Sequence, residues 1–474
     1  MKHAIVNAFA RPHGALRVLF VALLFGIPLA AQTAVDNVTI KNVTVVDVVK
    51  GKLFPNMTVV VDGKRIASVA KTRPGEHLSG TVMDGSGMYV IPGLWDMHVH
   101  VAFTNDVARI QTTNALMLPL FVANGVTGVR DMGSNLDAVL STREAVTSHQ
   151  VIGPRIVTSG PMLDGPTSRY QVIIKVTTAE DGRAAVRQLH DRGVDFIKTQ
   201  SLVPRDAYFA IAEETAKLGM RFEGHVPDAI RASEAVTAHQ HSFEHLLGVF
   251  GASTTIEDSV INGKKPSNAD MLAARSDTNE KAIITLLAKN NVWQCPTILS
   301  DLGGAADVVS DPGLPYWFKN TVDGWKATSL RRLNSTDAAA ANVKERFDRW
   351  ELSLTTKLHA AGVPFLAGTD APAGFDLVPG ASLHSELEWL VRAGFTPLEA
   401  LQTATINPAT YLGRTKDFGT VETGKMADLV VLASNPLTSI GNTRSVVAVV
   451  ADGRFYSATE LNKLRLHLME LAAK

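Results

Sequence analysis

The stretch Val90-Ile-Pro-Gly-Leu-Trp-Asp-Met-His-Val-His100 is an apolar run that ends in His-x-His. Successive side chains of a strand point to opposite faces, so His98 and His100 share one face and Val99 takes the other. Two imidazoles on one rigid face make half of a site for a divalent ion. Four further segments end in a chemically active side chain. Val194-Asp-Phe-Ile-Lys198 is a short apolar strand closing on lysine. Arg221-Phe-Glu-Gly-His225 and Ser242-Phe-Glu-His245 close on histidine, and Val363-Pro-Phe-Leu-Ala-Gly-Thr-Asp370 closes on aspartate.

Between these segments strands and helices alternate, which signals a parallel βα architecture. Eight strands are expected near 89–98, 126–131, 155–159, 196–198, 221–225, 242–245, 292–296 and 364–370. Helical stretches such as 179–192, 207–218, 280–289 and 384–393 intervene. The expectation is a (β/α)8 TIM-like barrel, in which catalytic groups sit at the C-terminal ends of the strands. Each of the six candidates occupies such an end. Residues 37–90 and 419–456 instead alternate apolar and polar residues between turn signals such as Asp62-Gly63. They are expected to pair into a small β-sandwich built from both chain ends, 37–90 plus 415–456. The barrel would then span 91–414, with a C-terminal helix at 457–474. The connection at 298–360 is unusually long, and long loops on a catalytic face commonly shape the pocket.

The ordered set resembles the amidohydrolase superfamily, in its imidazolonepropionase/prolidase-like branch. Gly93-Leu-Trp-Asp-Met-His-Val-His100 is similar to that superfamily's first-strand motif, Val194-Asp-Phe-Ile-Lys198 to its lysine strand and Gly368-Thr-Asp370 to its eighth-strand aspartate. The segments Leu398 to Ala409 and Gly424 to Leu432 resemble the tail in which the chain leaves the barrel for the β-domain. The resemblance implies two divalent ions. His98, His100 and Asp370 would bind the more buried ion, and His225 and His245 the more exposed one. Lys198 would join them as a carbamate, formed when its neutral amine adds carbon dioxide. A charged lysine would repel metal; the plain alternative is an ion pair of Lys198 with Asp131 or Asp370. Zinc is the default ion for such donors. A metal-bridging hydroxide would attack the carbonyl carbon, and Asp370 would take its proton and pass it to the leaving nitrogen.

The implied activity is hydrolysis of an amide bond in a small molecule, either a dipeptide such as Xaa-Pro or an N-acyl amino acid. One alternative is a cyclic amide hydrolase similar to imidazolonepropionase, and another is a non-catalytic metal-binding relative. Arg130 or Arg169 would meet a substrate carboxylate. Tyr170 and His384 are further candidate substrate contacts, and Asp131 would steady a metal-ligating imidazole.

The 46 basic residues balance 46 acidic ones, so nothing points to nucleic acid as a partner. Cys295 is the sole cysteine, which excludes an intramolecular disulfide, and it is expected to pack as a small apolar group. Lys2, Arg11 and Arg17 precede or open an apolar run at 18–31 that ends in small residues. This start reads as a signal peptide at 1–31, the alternative being an uncleaved anchor. The chain is thus expected to be exported, periplasmic or secreted, without a membrane anchor after cleavage. Homo-oligomers are expected by analogy with the branch.

Overall fold

The computed structural model describes residues 37–75, 80–302, 311–334, 337–374 and 376–474. The expected signal peptide lies outside them. Among the described residues no helix is long and apolar enough to cross a membrane.

Among the described residues seventeen strands follow in chain order. They are β1 (Val38–Asp47), β2 (Lys52–Asp62), β3 (Arg65–Lys71), β4 (Thr81–Asp84), β5 (Tyr89–Pro92), β6 (Leu94–Val99), β7 (Val126–Asp131), β8 (Arg155–Thr158) and β9 (Met162–Asp164). The rest are β10 (Ile173–Lys175), β11 (Ile197–Thr199), β12 (Phe222–Gly224), β13 (Ser242–Glu244), β14 (Trp293–Cys295), β15 (Leu429–Leu432), β16 (Val446–Ala451) and β17 (Arg454–Tyr456).

Both chain ends feed one sheet of order β17-β16-β15-β5-β1-β2-β3, with β4 beside β1. β5 is its hinge: Val45 of β1 lies parallel to Val90, and Val430 of β15 antiparallel to Ile91. Alternate residues such as Ile40, Val59, Val61, Val90, Leu429 and Val450 are fully buried in one cluster. The expected pairing of the two ends is present. The hydrogen bonds run through all eight strands as a single sheet, however, because β5 is bonded along both of its edges.

The expected first strand, 89–98, is divided. Tyr89–Pro92 belongs to this sheet, and the inner strand β6 starts at Leu94. Gly93 makes the crossing: a Cβ there would lie 2.0 Å from Thr127 Oγ1, so a side chain would push β6 off β7.

The remaining strands are parallel, in the orders β6-β7-β8 and β10-β9-β11-β12-β13-β14. The expected eighth strand is irregular. It makes single parallel bridges, Gln294 to Phe365 and Val99 to Ala371. Met97 N donates to Ala367 O and Leu366 N to Gln294 O, both at 2.9 Å. Two features interrupt a regular ladder. A Cβ at Gly368 would lie 2.5 Å from Cys295 Sγ and 2.7 Å from His98 Cβ, and Asp370 takes a left-handed φ of 65°. Between the two parallel sheets, Asp195 N donates to Thr158 O at 2.9 Å.

Helices fill the connections where the sequence places them, including Ala179–Asp191, Arg205–Lys217, Asp277–Lys289 and Ala381–Arg392. Thr178 and Asp181 form a reciprocal capping box that fixes the start of the first of these. The long connection folds largely into two helices, Lys319–Leu333 and Ala338–Ala360. A last helix, Ala458–Ala472, is capped in the same way by Ser457 and Glu460.

Candidate metal centre

His98 lies in β6 and His100 immediately follows it, as the strand alternation requires. Asp370 Oδ1 sits 3.0 Å from His100 Nε2 and 3.4 Å from His98 Nε2. The ligating atoms of this trio lie within 4.8 Å of one another. The His245 ring stands 4.7 Å from that of His98 and 5.0 Å from that of His225, centroid to centroid. Lys198, on β11, is 1% exposed, and its charge acts on His98, His225 and His245. The structure thus gathers all six residues, with His98, His100 and Asp370 as the compact donor set.

Each imidazole commits Nδ1 to the protein. His98 Nδ1 donates to Glu244 Oε2 at 2.8 Å, and His100 Nδ1 to the Gly133 carbonyl at 2.8 Å. His225 Nδ1 pairs with Ser201 Oγ at 2.8 Å, and His245 Nδ1 with Thr297 Oγ1 at 2.6 Å. Nε2 is therefore the nitrogen left for a ligand on all four rings. Burial, aided by the Lys198 charge, holds His98 and His225 well below the ordinary histidine range, and burial lowers His245 too. Metal binding requires neutral imidazole. Burial would raise the Asp370 carboxyl, yet contact with His100 and the imidazoles of His98 and His245 holds it well below the usual carboxylate range. His100 Nε2 faces that carboxylate at 3.0 Å.

Lys198 makes no hydrogen bond and no ion pair within 4.0 Å among the described residues. Burial pushes its amine down to about 8, against the raising pull of Glu244 and Asp370. Roughly a tenth of it would then be neutral at pH 7, against less than a thousandth for an ordinary lysine. The ion pair with Asp131 or Asp370 is absent at that distance. Asp131 instead accepts from Val101 N (2.7 Å), Ser134 Oγ (2.5 Å) and Thr158 Oγ1 (2.6 Å), so it anchors the loop after His100 and touches no imidazole. Gly224 precedes His225 at φ +123°, and a Cβ there would meet Thr199 O at 2.4 Å and Lys198 Cδ at 2.6 Å. Only glycine lets β12 pass that close to the lysine.

Three strand ends turn on left-handed, non-glycine residues: His245 (φ 57°), Thr297 (φ 49°) and Asp370 (φ 65°). Such conformations cost about 1 kcal/mol or more each and persist where the surroundings dictate them. Here they bend His245 and Asp370 into the centre and bring Thr297 under His245.

Two sequence-based substrate contacts are corrected. Arg130 is fully buried, and its donors are taken: Nε by Met97 O (2.6 Å), Nη1 by Glu223, Ser242 Oγ (3.1 Å) and Tyr411 Oη (2.8 Å), and Nη2 by both Glu244 oxygens (3.0 and 2.9 Å). It supports the centre from behind, through Glu244 to His98, and meets no substrate. His384 is also buried, between Thr443 Oγ1 (2.9 Å) and Asn124 O (3.1 Å), and burial lowers it to about 3. It ties a helix to its neighbours. Tyr170 and Arg169 are exposed. The Tyr170 ring lies 5.8 Å from Phe103, itself 4.3 Å from the His100 ring, so an aromatic path leads from the surface to the centre.

Glu244 and Asp96 are the positioning residues that sequence reasoning missed. Asp96 accepts from Thr369 N (3.1 Å) and Thr369 Oγ1 (2.7 Å), fixing the residue before Asp370; burial lifts its carboxyl to about 7. A signal for Glu244 exists. An arginine inside the apolar strand Val126–Asp131 needs buried carboxylates, and the two Phe-Glu pairs at 222–223 and 243–244 supply them. Glu244→Gln should weaken metal binding about 10–100-fold, read by competition with a chromogenic chelator. Unchanged affinity would show that Glu244 serves Arg130 alone.

Comparison with known proteins gives three likenesses. A model described as the amidohydrolase family matches residues 89–456. Ochratoxinase from Aspergillus niger is 23% identical over 437 residues, 82% of this chain and 80% of that protein. The solved structure of a bottromycin amidohydrolase superposes with a TM-score of 0.72 at 23% identity, covering 92% of this chain and 90% of that one. The likeness in structure is that of a TIM-barrel-like α/β fold with a β-rich domain.

Proposed function

The chain belongs to the amidohydrolase family, and on that premise we propose that it hydrolyses the amide bond of a small substrate, a dipeptide such as Xaa-Pro or an N-acyl amino acid, at a centre of two divalent ions. The observation that carries this reading is the donor set. Three buried imidazoles and the half-buried His245, each with Nδ1 engaged, gather with Asp370 and a buried lysine that has no hydrogen-bond or ion-pair partner among the described residues. His98, His100 and Asp370 would hold one ion and His225 and His245 the other, with Lys198, as its carbamate, joining both. Zinc suits imidazole and carboxylate donors. Such ions, when bound, polarise a carbonyl and lower the pKa of water.

The residues supply the rest. Asp370, kept ionised by its neighbours, is a base beside the reacting carbonyl, and once protonated it is the acid that serves the leaving nitrogen. Glu244 and the Gly133 carbonyl keep His98 and His100 in the tautomer that offers Nε2. The fold reading extends to one eight-stranded barrel within 91–414, with 37–90 and 415–456 as the β-domain. The bridges of 365 and 371 to β14 and β6, and the bond from Asp195 to Thr158, support it. The basic and then apolar segment 1–31 supports export.

The test is a panel of Xaa-Pro dipeptides and N-acyl amino acids offered to metal-replete protein. At least one should be hydrolysed, and a chelator should abolish the turnover. Protein that carries its metals and cleaves no amide would contradict the reading.

A further inference from the structure

A cavity of about 640 Å³ opens beside the centre. His100 lines it, as does Pro372, two residues beyond Asp370. Its wall carries Phe103, Ile110, Trp317, Phe318 and Trp325. Three of these aromatics come from the long connection between β14 and the eighth strand segment. Trp317 is 4% exposed and Trp325 8%, while Phe318 is half-buried and packs edge-on against Trp317 at 5.0 Å. Arg109 is the one Arg, Lys, Asp or Glu side chain among the lining residues.

Volume, wall chemistry and charge decide what such a space suits. Its volume falls in the range that encloses a drug-sized ligand, well beyond the needs of two small amino acids. Aromatic side chains at a pocket wall favour stacked or edge-on contact with another ring and reward large apolar area rather than hydrogen bonding. An arginine on an otherwise uncharged wall favours an anionic ligand over a cationic one.

We infer that this cavity is the specificity subsite, and that it takes a bulky planar aromatic group attached on one side of the scissile amide of a carboxylate-bearing substrate. The inference rests on the amidohydrolase reading for the position of the amide, since His100 of the candidate centre lines the cavity. The connection 298–360 is then a specificity element: it brings the indoles and Phe318 to the cavity wall, and the strand ends bring the chemistry.

The experiment measures binding, so it does not depend on turnover. Metal-replete full-length protein is titrated calorimetrically with 2-naphthoate against acetate, and with 2-naphthylalanine against alanine. These stand for the two product halves of an aromatic amide. At least one naphthyl ligand should bind about tenfold or more tighter than its small counterpart. Phe318→Ala should bring that ratio to within about threefold of unity, and Trp317→Leu should do the same, each checked for an unchanged thermal midpoint. A wild-type ratio near one for both pairs would overturn the inference whichever amides are cleaved, as would a ratio that survives in both folded variants. A large ratio in a protein that cleaves no amide would instead refute the amide-hydrolase reading and leave the aromatic subsite standing.

Discussion

Asp370→Asn should lower turnover about 10³–10⁴-fold while the protein keeps its fold. The size follows from the role. A positioned acid-base group contributes about 10²–10⁴ in rate, and here one carboxylate would serve both proton transfers while also belonging to the donor trio of His98, His100 and Asp370. The fold should survive because the Asp370 backbone is held independently of its carboxylate: its N–H donates to His98 O at 2.7 Å. Asparagine also tolerates the left-handed φ of 65° better than most residues. The measurement is kcat on the best amide of the panel, beside the thermal midpoint and metal content. Near-normal kcat would remove Asp370 from proton transfer. Loss of metal together with kcat would show that its part is ligation.

Lys198→Met should abolish tight binding of at least one ion, with a loss of affinity above about 10²-fold, because methionine fills a similar space but forms no carbamate. The same chemistry gives a test on the unaltered chain. Protein stripped with a chelator should regain activity faster with zinc and bicarbonate together than with zinc alone. At fixed dissolved carbon dioxide the rate should rise with pH and level off above about 8, because the neutral amine is the reactive form and burial lowers Lys198 to about 8. The sign is the useful part: an ordinary lysine would keep gaining reactivity past pH 10. Equal recovery with and without bicarbonate would argue against a carbamate.

The centre was legible because each of its members ends an apolar segment. A histidine, lysine or aspartate at that place has one exit, towards the strand ends, and the order His-x-His, Lys, His, His, Asp survives uncertainty of several residues in any boundary. Depth and sidedness were not legible. Arg130 sits in an apolar strand, which marks it as unusual, but whether it faces the mouth or the core depends on strand parity, and the β6–β7 register shifts between Asp96 and Val99. His384 lies on a helix, and its partners, Thr443 and Asn124, come from distant parts of the chain that local periodicity cannot connect. The division of 89–98 at Gly93 depends on which of two sheets claims Tyr89–Pro92, a contest settled by β15 some 340 residues later in the chain. The joining of both chain ends into one sheet is non-local in the same way. Glu244 alternates with His245 along its strand, so its service to His98 on β6 emerges only when β6 and β13 face each other.

The most direct test is elemental analysis of the purified chain, grown with ample trace metals, beside a His98→Ala, His225→Ala double variant. Close to two divalent ions per wild-type chain, and loss of both from the variant, is the result predicted here. A wild-type protein with no stoichiometric metal, or a content that the variant retains, would contradict the claim that these six side chains form one metal centre.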